Sequence, residues 1–397
     1  MCSSTDLVKF LDLGSMPPAD TFLDHADDPE ENFPLRVMSC QNCGLAQLDY
    51  VVPPEILYCN NYPYDASTAF TAQKHWKKFA DDIWKEVPGI TDDLVVDIGS
   101  NVGVLLQAFK DNGARVLGVD PAANITKIAN ANGIETITGF FNEDVAHIIK
   151  VAKGQASIIT GTNVFAHVHD LDNLMKAIDS LLEPSGSFII EMPYFVNLVK
   201  QFQYDTIYHE HLSYLSIKPL VKFFKKFNME VYDVQEQNFH GGSIRVFVAR
   251  MGVFKVSESV ATLMKKEEEA GIYDITVLNK FASDVERNRA MLRNLVMTLK
   301  RSGKSIVAVS APAKGMTLLN YCGLNKDYLD FATEKAKLKI GKFTPGTHLE
   351  VLPDNALISK KPDYALLLAW NFANEIMKNL NEFTGKFIVP IPIPRVV

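Results

Sequence analysis

The chain has 397 residues, of which 47% are hydrophobic and 22% are charged, and its formal net charge is -7. This length is too great for one ordinary core and predicts two or three domains. The acidic balance argues against a nucleic-acid-binding protein, and no apolar run reaches the ~18–20 residues that a membrane-spanning helix needs. The first residues contain neither a basic segment nor an apolar one, so we expect no secretory signal, no membrane partner and a cytoplasmic protein.

Residues 1–62 are predicted to form a small domain of short strands and turns. Cys40 and Cys43 are separated by two residues and followed by a glycine, and this spacing lets two thiolates face one Zn²⁺ ion. A structural zinc site normally has four ligands, whereas Cys2 and Cys59 do not form a second pair of this kind. The motif alone leaves open a zinc site and a ribbon whose metal site is incomplete.

The next segment is rich in turns and aromatic residues. It carries Tyr62 and Tyr64 on a predicted loop, where either phenol could reach an active site. Aromatic and apolar residues at helical spacing then predict a helix that includes His75, Trp76 and Phe79, and we expect these aromatic side chains to be mostly core.

A glycine-rich turn follows a short apolar strand. Asp97, Gly99 and Gly103 form the pattern Asp-x-Gly-x-x-x-Gly, in which glycines let the backbone approach a ligand at the carboxyl end of the strand. A second strand ends about twenty residues later in Asp120, whose carboxylate can hold both hydroxyls of a ribose. The third glycine of the dinucleotide fingerprint is missing, which weakens an interpretation as an NAD site.

Strands and helices continue to alternate as far as the predicted strand Ser187–Glu191. Such alternation predicts a doubly wound parallel sheet with helices on both faces. A glycine-rich turn that binds no ligand is the alternative interpretation of the motif at its centre.

The segment Asp205–Tyr214 is the strongest candidate for an active site. It contains Tyr208, His209, Glu210 and His211, and these are the side chains that transfer protons near neutral pH. In an extended or tightly turned segment alternate residues share a side, so the two histidines are expected to point together. A polar surface loop is the alternative.

Several basic residues are candidates for binding an anion. His240 and Arg245 lie near paired glycines between two predicted strands, where a plain hairpin is the alternative. Lys314 stands at a turn that opens a helix, and Lys342 lies in a second glycine-rich loop of the same region. Because a helix N-terminus favours anions, we interpret both loops as a phosphate site, although Lys314 could simply cap its turn.

The remaining C-terminal segments complete the predicted organisation. Residues 253–302 read as a long charged helical connector, in which the run 265–269 forms a solvated face. Residues 304–397 resume the alternation of strands and helices and predict a second, Rossmann-like domain.

Seven stretches, in this order, resemble the SAM-dependent sugar C-methyltransferase family, where SAM is S-adenosylmethionine. They are Phe33-Pro-Leu-Arg with Cys40-x-x-Cys43-Gly-Leu-Ala-Gln-Leu, Asp97–Gly103, Tyr208-His-Glu-His211, His240-Gly-Gly-Ser-Ile-Arg245, Ala311-Pro-Ala-Lys-Gly315, Gly341-Lys-Phe-Thr-Pro-Gly346 and Ala369-Trp-Asn371-Phe. The resemblance covers nearly the whole chain. It implies an α/β protein with a zinc-ribbon-like domain at 1–62, a class I SAM methyltransferase domain at 63–250, and a helical connector with a Rossmann-like nucleotide-sugar domain at 251–397.

The resemblance also implies a reaction, namely methylation of a ring carbon, typically C-3, of a nucleotide-linked 4-keto-6-deoxysugar. His211 corresponds to the general base, and Tyr208, Glu210, His167 and a loop tyrosine, either Tyr62 or Tyr64, correspond to its active-site partners. The implied SAM-binding residues are Asp97, Gly99, Ser100, Asn101, Gly103, Asp120, Pro121, Phe140, Phe141 and Asn163. The implied substrate-binding residues are His240, Arg245, Lys314, Lys342 and Asn371, and the implied metal ligands are Cys2, Cys40 and Cys43.

Three departures from the family pattern bear on these expectations. The family usually has an acid before Lys-x-Gly in the C-terminal loop, and here Glu334 stands near that place. The family carries two Cys-x-x-Cys pairs, and here Cys2 resembles only the second cysteine of the first pair, so zinc would need another group such as His25. Ile340 occupies a place that is usually polar, which could alter nucleotide contacts. The expected partner is a nucleotide-diphosphate sugar bound by a monomer. The alternatives are SAM-dependent methylation of another acceptor, an NAD-dependent sugar oxidoreductase or epimerase, and a non-catalytic zinc-ribbon protein.

Overall fold

The structure is a computed structural model of the chain, and it describes residues 1–59, 62–64, 66–67, 70–86, 93–239 and 241–397. Its described strands form three sheets. None of the helices in these ranges is both long enough and apolar enough to cross a membrane.

The N-terminal and central elements follow one another in this order: β1 Leu7–Met16, β2 Phe33–Cys40, β3 Ala46–Leu48, α1 Pro54–Tyr58, α2 Phe70–Glu86, β4 Leu94–Ile98, α3 Val104–Asp111, β5 Arg115–Asp120, α4 Ala123–Ala131, β6 Thr136–Thr138, α5 Glu143–Lys153, β7 Ala156–Thr162, α6 Leu171–Leu181, β8 Leu182–Pro193, α7 Phe195–Lys200, β9 Ser213–Tyr214, α8 Ile217–Lys225, β10 Met229–Gln237 and β11 Ser243–Arg250. The C-terminal elements are α9 Glu258–Glu269, α10 Ile275–Arg301, β12 Ile306–Val309, α11 Ala313–Cys322, β13 Ala332–Glu334, β14 Val351–Pro353, α12 Ala356–Lys360, β15 Tyr364–Leu367, α13 Ala373–Asn379, β16 Lys386–Val389 and β17 Arg395–Val396. Short 3₁₀ turns cover Phe165–His167, Tyr204–Thr206 and Trp370–Phe372.

The central sheet has the strand order β10-β11-β8-β7-β4-β5-β6. Its strands from β8 to β6 are parallel, and β11 and β10 extend it as an antiparallel hairpin. Every residue of β4 is buried, as expected for a central strand covered on both faces. The chain leaves β4 toward β5 on one side and reaches β7 on the other, so β4 marks the switch point at which such sheets bind ligands. The predicted doubly wound sheet is confirmed.

The N-terminal sheet has the order β1-β2-β3-β9 and is antiparallel. Its core includes Leu35 and Val37, which alternate along β2 and are fully buried, the pattern of a strand with one covered face. Its last strand comes from a distant part of the chain, because Tyr214 pairs with Ala46. The segment that carries Tyr208–His211 is therefore tied directly to the N-terminal sheet.

The C-terminal sheet has the order β14-β13-β12-β15-β16-β17. All its neighbouring strands are parallel except the last pair. Helix α11 follows its central strand β12, so the N-terminus of this helix lies at the carboxyl end of the sheet. This arrangement agrees with the expected Rossmann-like architecture.

One prediction for the charged helical region is wrong. Glu267, expected on a solvated face, is fully buried. Its carboxylate accepts hydrogen bonds from the backbone amides of Ile217 and Lys218 and from the hydroxyls of Tyr194 and Tyr273. The first amides of a helix lack partners within it, so the amides at the start of α8 provide hydrogen bonds for this buried carboxylate. A run of charged residues in the sequence does not indicate such a long-range partner.

Candidate active site

A cavity of about 780 Å³ opens at the carboxyl ends of the central strands. Residues from all three sheet-bearing regions line it. The predicted site residues among its lining are Tyr62, Tyr64, Asp97, Gly99, Ser100, Asn101, Asp120, Pro121, Phe140, Phe141, Asn163, His167, Tyr208, Glu210, His211, Lys314 and Asn371. The fold thus gathers most of the sequence-predicted residues around one space.

The turn after β4 needs glycine for geometric reasons. Gly99 has φ +67°, and a Cβ atom built on it would lie 2.3 Å from Cγ2 of Val164. Gly103 has φ +83° and stands directly before α3. An L side chain is disfavoured in this backbone region, and at Gly99 it would also collide with the wall of the cavity.

Two aspartates flank this turn. Asp120, at the end of β5, accepts hydrogen bonds from the backbone amides of Asn101 at 3.0 Å and Ala122 at 2.9 Å. Asp97, at the end of β4, accepts a hydrogen bond of 2.6 Å from the hydroxyl of Thr160. Burial raises the pKa of Asp97 to about 7 and also raises the pKa of Asp120. Both carboxylates are therefore held rigidly at the edge of the sheet.

Two asparagines hold the loop tyrosines over the glycine-rich turn. The Asn101 amide donates to the carbonyl of Tyr64 at 3.1 Å and accepts from the backbone amide of Ala66 at 2.9 Å. Asn124, on α4, donates to the carbonyl of Tyr62 at 2.9 Å. These hydrogen bonds hold the loop so that Tyr62 and Tyr64 line the cavity.

A cluster of aromatic rings surrounds His211. The ring centroids of Tyr208 and His167 lie 4.0 Å and 5.0 Å from that of His211. The Nδ1 atom of His211 lies 2.7 Å from the carbonyl oxygen of Thr206, and because a carbonyl oxygen only accepts, Nδ1 carries the hydrogen and Nε2 is left as an acceptor. Burial lowers the pKa of His211 to about 4. Burial, followed by the neighbouring His211, lowers the pKa of His167 far below its usual range.

Glu210 lies between this cluster and residues of the N-terminal and C-terminal regions. The Tyr62 hydroxyl donates to its carboxylate at 3.3 Å. Burial, followed by the Asp20 carboxylate, raises the pKa of Glu210 well above its usual range. The Lys339 ammonium donates to Asp20 at 3.0 Å and to the Ala311 carbonyl at 3.0 Å. Asp20 of the N-terminal region and Lys339 of the C-terminal region therefore form an ion pair beside Glu210.

His209 does not share the direction of His211, contrary to the prediction. Its Nε2 atom lies 3.1 Å from the carbonyl oxygen of Phe33, and its ring contacts the Phe33 ring edge-on. The backbone amide of His211 bonds to the carbonyl of Tyr208 at 2.9 Å, so the chain turns tightly here. The expectation that alternate residues of a tight turn share a side is therefore wrong here, because His209 packs against Phe33 of the N-terminal sheet whereas His211 faces the cavity.

The C-terminal side of the cavity carries a cation. The Lys314 ammonium donates a hydrogen bond to Asn371 and lies 4.9 Å from the centroid of the Trp370 ring. The Trp370 indole donates to the buried carboxylate of Asp205 at 2.6 Å. Burial lowers the pKa of Lys314, and the Asp205 charge acts in the opposite direction.

Other predicted substrate residues lie elsewhere. Arg245 is 1% exposed on β11, where it forms a salt bridge with Glu191, so its charge is already neutralised inside the core. Lys342 donates to Asp24 at 2.9 Å, and neither Lys342 nor Arg245 lines the cavity. Both predictions therefore fail to match the geometry. His240 lies outside the described residues, and Gly103 supports the turn without lining the cavity.

Among the cavity-lining residues that the sequence reasoning did not name as site residues are Asp20, Tyr58, Lys339 and Trp370. Tyr58 stacks parallel to His167, with a centroid distance of 6.2 Å and an interplanar angle of 9°. Asp20 and Tyr58 carry no motif of their own, because they reach the site only when the N-terminal region docks. Lys339 shares a basic loop with Lys342, and spacing could not decide which of the two faces inward.

The thiols of Cys2, Cys40 and Cys43 form a separate cluster in the N-terminal sheet. Their sulfur atoms all lie within 4.8 Å of one another, and those of Cys2 and Cys40 are 3.5 Å apart. Tetrahedral zinc with Zn–S bonds of 2.3 Å needs sulfur atoms about 3.8 Å apart, so the three thiols fit three corners of a zinc site. His25, suggested as a further ligand, is not part of this cluster.

The fold and the glycine-rich turn define a SAM-binding methyltransferase. Three family patterns match the chain: "Putative zinc binding domain" over residues 1–58, "Methyltransferase domain" over residues 72–234, and "C-methyltransferase C-terminal domain" over residues 238–392. The C-methyltransferase NovU of Streptomyces niveus is 40% identical over an alignment of 404 positions, which spans 100% of this chain and 96% of that protein. The chain belongs to the SAM-dependent C-methyltransferase family and is an enzyme of that class.

More distant similarities cover only part of the chain. A ubiquinone biosynthesis O-methyltransferase of Cupriavidus pinatubonensis is 26% identical over 26% of this chain and 43% of its own length. Among solved structures, a magnesium protoporphyrin IX methyltransferase of Synechocystis with bound SAH is 14% identical, covers 47% of this chain and 90% of its own, and has a TM-score of 0.36.

Proposed function

We propose that the enzyme methylates C-3 of a nucleotide-linked 4-keto-6-deoxysugar after removing the proton from that carbon. The observation that carries the proposal is the buried His211 packed against Tyr208 and His167, with the cation Lys314 in the same cavity. A base, hydrogen-bond donors and a cation are the groups that a keto sugar bearing a diphosphate requires. The resemblance to the sugar C-methyltransferases supports the same assignment.

Proton removal is assigned to His211. A hydrogen on the carbon next to a ketone is weakly acidic, so its removal needs a placed base. The hydrogen bond from Nδ1 to the Thr206 carbonyl leaves Nε2 with the lone pair that accepts the proton. The imidazole starts neutral because burial lowers its pKa to about 4. It is therefore in the basic form at neutral pH, before any substrate binds.

Stabilisation of the enolate oxygen is assigned to the tyrosine hydroxyls and His167. Burial raises the pKa of Tyr208 and Tyr62 well above the usual range, so both phenols keep their protons and act as donors. Fixed donors in a dry site stabilise developing negative charge strongly. Among the loop tyrosines we prefer Tyr62 to Tyr64, because Tyr62 contacts Glu210 and Tyr64 is 40% exposed. In the absence of substrate the single phenol hydrogen of Tyr62 is donated to Glu210, and it would turn to the enolate oxygen as negative charge develops there.

The cofactor region is assigned to the turn after β4 and the end of β5. When bound, SAM supplies an electrophilic methyl group. Asp120 would hold the ribose hydroxyls, and the backbone at Gly99 and Asn101 would face the amino-acid end of the cofactor. Phe140 and Phe141 line the same cavity as Asp120, and they would cover the adenine. These groups bind and orient, and they take no part in the proton transfer.

The nucleotide diphosphate is assigned to Lys314, Lys339 and Asn371. All three line the cavity, and ammonium groups form charge-assisted hydrogen bonds with phosphate oxygens. Lys339 replaces Lys342 in this role, because Lys339 lines the cavity and Lys342 does not. A bound diphosphate would share the Lys339 ammonium with Asp20. Because these groups and His211 line one cavity, their positions support a substrate that extends from His211 toward the C-terminal sheet.

The test is isotope exchange in deuterated water, using SAM and a panel of TDP-, GDP- and CDP-linked 4-keto-6-deoxysugars. Mass spectrometry would follow deuterium uptake and methyl gain for the wild type, His211→Asn and the matched control His209→Asn. We expect both signals in the wild type and the control and neither in His211→Asn. A wild type that neither exchanges deuterium nor methylates any sugar of the panel would refute the keto-sugar substrate and favour another acceptor.

The methylated position is read from the product by NMR. Carbons C-3 and C-5 both flank a C-4 ketone, so the protons on both are acidified. A methyl group on C-3 supports the proposal in full. A methyl group on C-5 would retain the enolate chemistry of His211 and overturn the assignment of the carbon.

A further inference from the structure

We infer that Asp205 is a positioning residue that couples the anion-binding Lys314 to the base His211. The inference rests on the proposed function, which makes Lys314 a ligand of the substrate diphosphate and His211 the base. It adds that occupation of the anion site is transmitted to the imidazole, so the nucleotide contributes to proton removal as well as to binding.

The first half of the connection runs from the cation to Asp205. The Asp205 side chain is fully buried, and its Oδ2 atom accepts the hydrogen bond of 2.6 Å from the Trp370 indole. The Lys314 ammonium lies over that same indole ring. Burial raises the pKa of Asp205, and the positive charge of Lys314 acts in the opposite direction. The Oδ1 atom is also buried but has no hydrogen-bond partner within the described part of the chain. Such an atom is costly unless a nearby charge compensates it.

The second half runs from Asp205 to His211. Asp205 is the middle residue of the 3₁₀ turn Tyr204–Thr206, and the next carbonyl in that turn, at Thr206, holds Nδ1 of His211 at 2.7 Å. A shift of the Asp205 carboxylate therefore acts on the peptide unit adjacent to the one that orients the base. The tautomer and the direction of the imidazole depend on that carbonyl.

The C-terminal region also holds this turn at two further points. The Thr317 hydroxyl of α11 donates to the carbonyl of Ile207 at 3.0 Å, and the Tyr204 hydroxyl donates to Asn288 of α10 at 2.7 Å. Lys314 is the second residue of helix α11. The element that carries the anion-binding cation is thus packed directly against the turn that carries the base-orienting carbonyl.

The coupling follows from competition for one cation. Without substrate, the positive charge of Lys314 is shared between Asn371, the Trp370 ring and the Asp205 carboxylate. A diphosphate carries more negative charge than Asp205 and draws the ammonium toward itself. The buried carboxylate then loses part of its compensation and must readjust with its turn, since an uncompensated buried charge is strongly unfavourable.

The experiment uses inorganic pyrophosphate as the anion and the full chain labelled with ¹⁵N-histidine. Ring nitrogen signals of His211, assigned by their loss in His211→Asn, would be recorded with and without saturating pyrophosphate, and its binding would be measured by calorimetry. We expect a shift of the His211 signals in the wild type. Asp205→Asn keeps the shape and the hydrogen bond to Trp370, so it should still bind pyrophosphate but lose that shift. Tyr204→Phe, which disturbs the same turn without touching Asp205, should keep it.

Each outcome has a distinct meaning. Pyrophosphate that binds the wild type without moving His211, or that moves it equally in Asp205→Asn, overturns the coupling and leaves the proposed substrate intact. A wild type that binds no pyrophosphate overturns the coupling together with the diphosphate site. Steady-state kinetics with the sugar that the enzyme accepts as its substrate add a second readout. Asp205→Asn should lower kcat by about tenfold or more with little change in KM. A purely structural role of Asp205 predicts no such division between kcat and KM.

Discussion

His211 and Thr206 are joined by a hydrogen bond of 2.7 Å between the imidazole Nδ1 atom and the backbone carbonyl oxygen. This contact determines which nitrogen of the base is free, since the carbonyl can only accept. The ring is buried among aromatic side chains, which disfavours its charged form. Together these features keep His211 ready to accept a proton at neutral pH.

The first prediction concerns the pH dependence of kcat/KM. Protonated His211 cannot act as a base, so activity is lost as pH falls through its pKa, which burial lowers to about 4. We expect nearly full kcat/KM at pH 6, whereas an unperturbed histidine with pKa about 6.5 would leave only about a quarter of it. The same shift has a stability consequence. The unfolded chain binds the proton more readily, so the folding stability contributed by neutral His211 is fully present above pH ~6.5 and declines toward pH 4.

Circular dichroism at each pH separates loss of activity from unfolding. A fall of kcat/KM at pH 6 to about a third of its value at pH 7, in a fully folded protein, is what an unperturbed histidine would give, and it would contradict the assignment of the low-pKa base to His211.

The second prediction compares two lysines of the C-terminal region. Lys314→Met should weaken binding of nucleoside diphosphates by about tenfold or more, because a charge-assisted hydrogen bond inside the cavity is lost. Lys342→Met should have little effect, since the Lys342 ammonium pairs with Asp24 outside the cavity. Calorimetry with TDP, GDP and CDP measures both. Equal losses in the two variants would mean that the loop of Lys342 also reaches the nucleotide.

The third prediction tests the turn after β4. Gly99→Ala combines a left-handed backbone with a Cβ atom 2.3 Å from Val164, so we expect a loss of about 2–4 kcal/mol in the free energy of unfolding and weaker SAM binding. Gly133→Ala is the matched control, because Gly133 has φ +79° with nothing within 4 Å of the added atom. It should cost only about 1 kcal/mol. Denaturant unfolding measures the difference, and equal costs would rule out the collision with Val164 as its cause.

The fourth prediction concerns the three clustered thiols. Cys40→Ser removes a sulfur 3.5 Å from that of Cys2, so the variant should lose bound zinc and unfold at a lower temperature. Cys59→Ser should retain both properties, because Cys59 is exposed and outside the cluster. Elemental analysis and thermal unfolding report the two effects. Unchanged zinc content in Cys40→Ser would show that the metal is bound elsewhere.

The fifth prediction concerns two adjacent glutamates of α9. Glu267→Gln places amide hydrogens among four donors, and we expect a loss of about 2–4 kcal/mol in stability, since the buried donors lose a charged acceptor. Glu268→Gln should change stability by less than about 0.5 kcal/mol, because its side chain is 61% exposed. Denaturant unfolding provides the comparison, and similar costs at both positions would contradict the buried role of Glu267.

Local patterns predicted the elements well where a segment has one structural requirement. The predicted strand Ser187–Glu191 lies within β8, and the helix predicted to include His75, Trp76 and Phe79 is α2. The Asp97–Gly103 turn was recognisable because its backbone needs glycine. The direction of His209 was not predictable, because it depends on the tight turn at Tyr208 and on contact with Phe33.

What the sequence by itself determined is the alternation of strands and helices, the glycine-rich turn and the residue types of the active site, because these depend on neighbours within a few positions. Only the tertiary structure decided which charges remain available for a substrate. Arg245 is neutralised by Glu191 on the neighbouring strand, and Lys342 is paired with Asp24, which lies 318 positions earlier in the chain. The first pairing depends on the strand register of the central sheet, and the second depends on the approach of the N-terminal and C-terminal regions. The free energy of a buried charge depends on the partner that the fold brings to it.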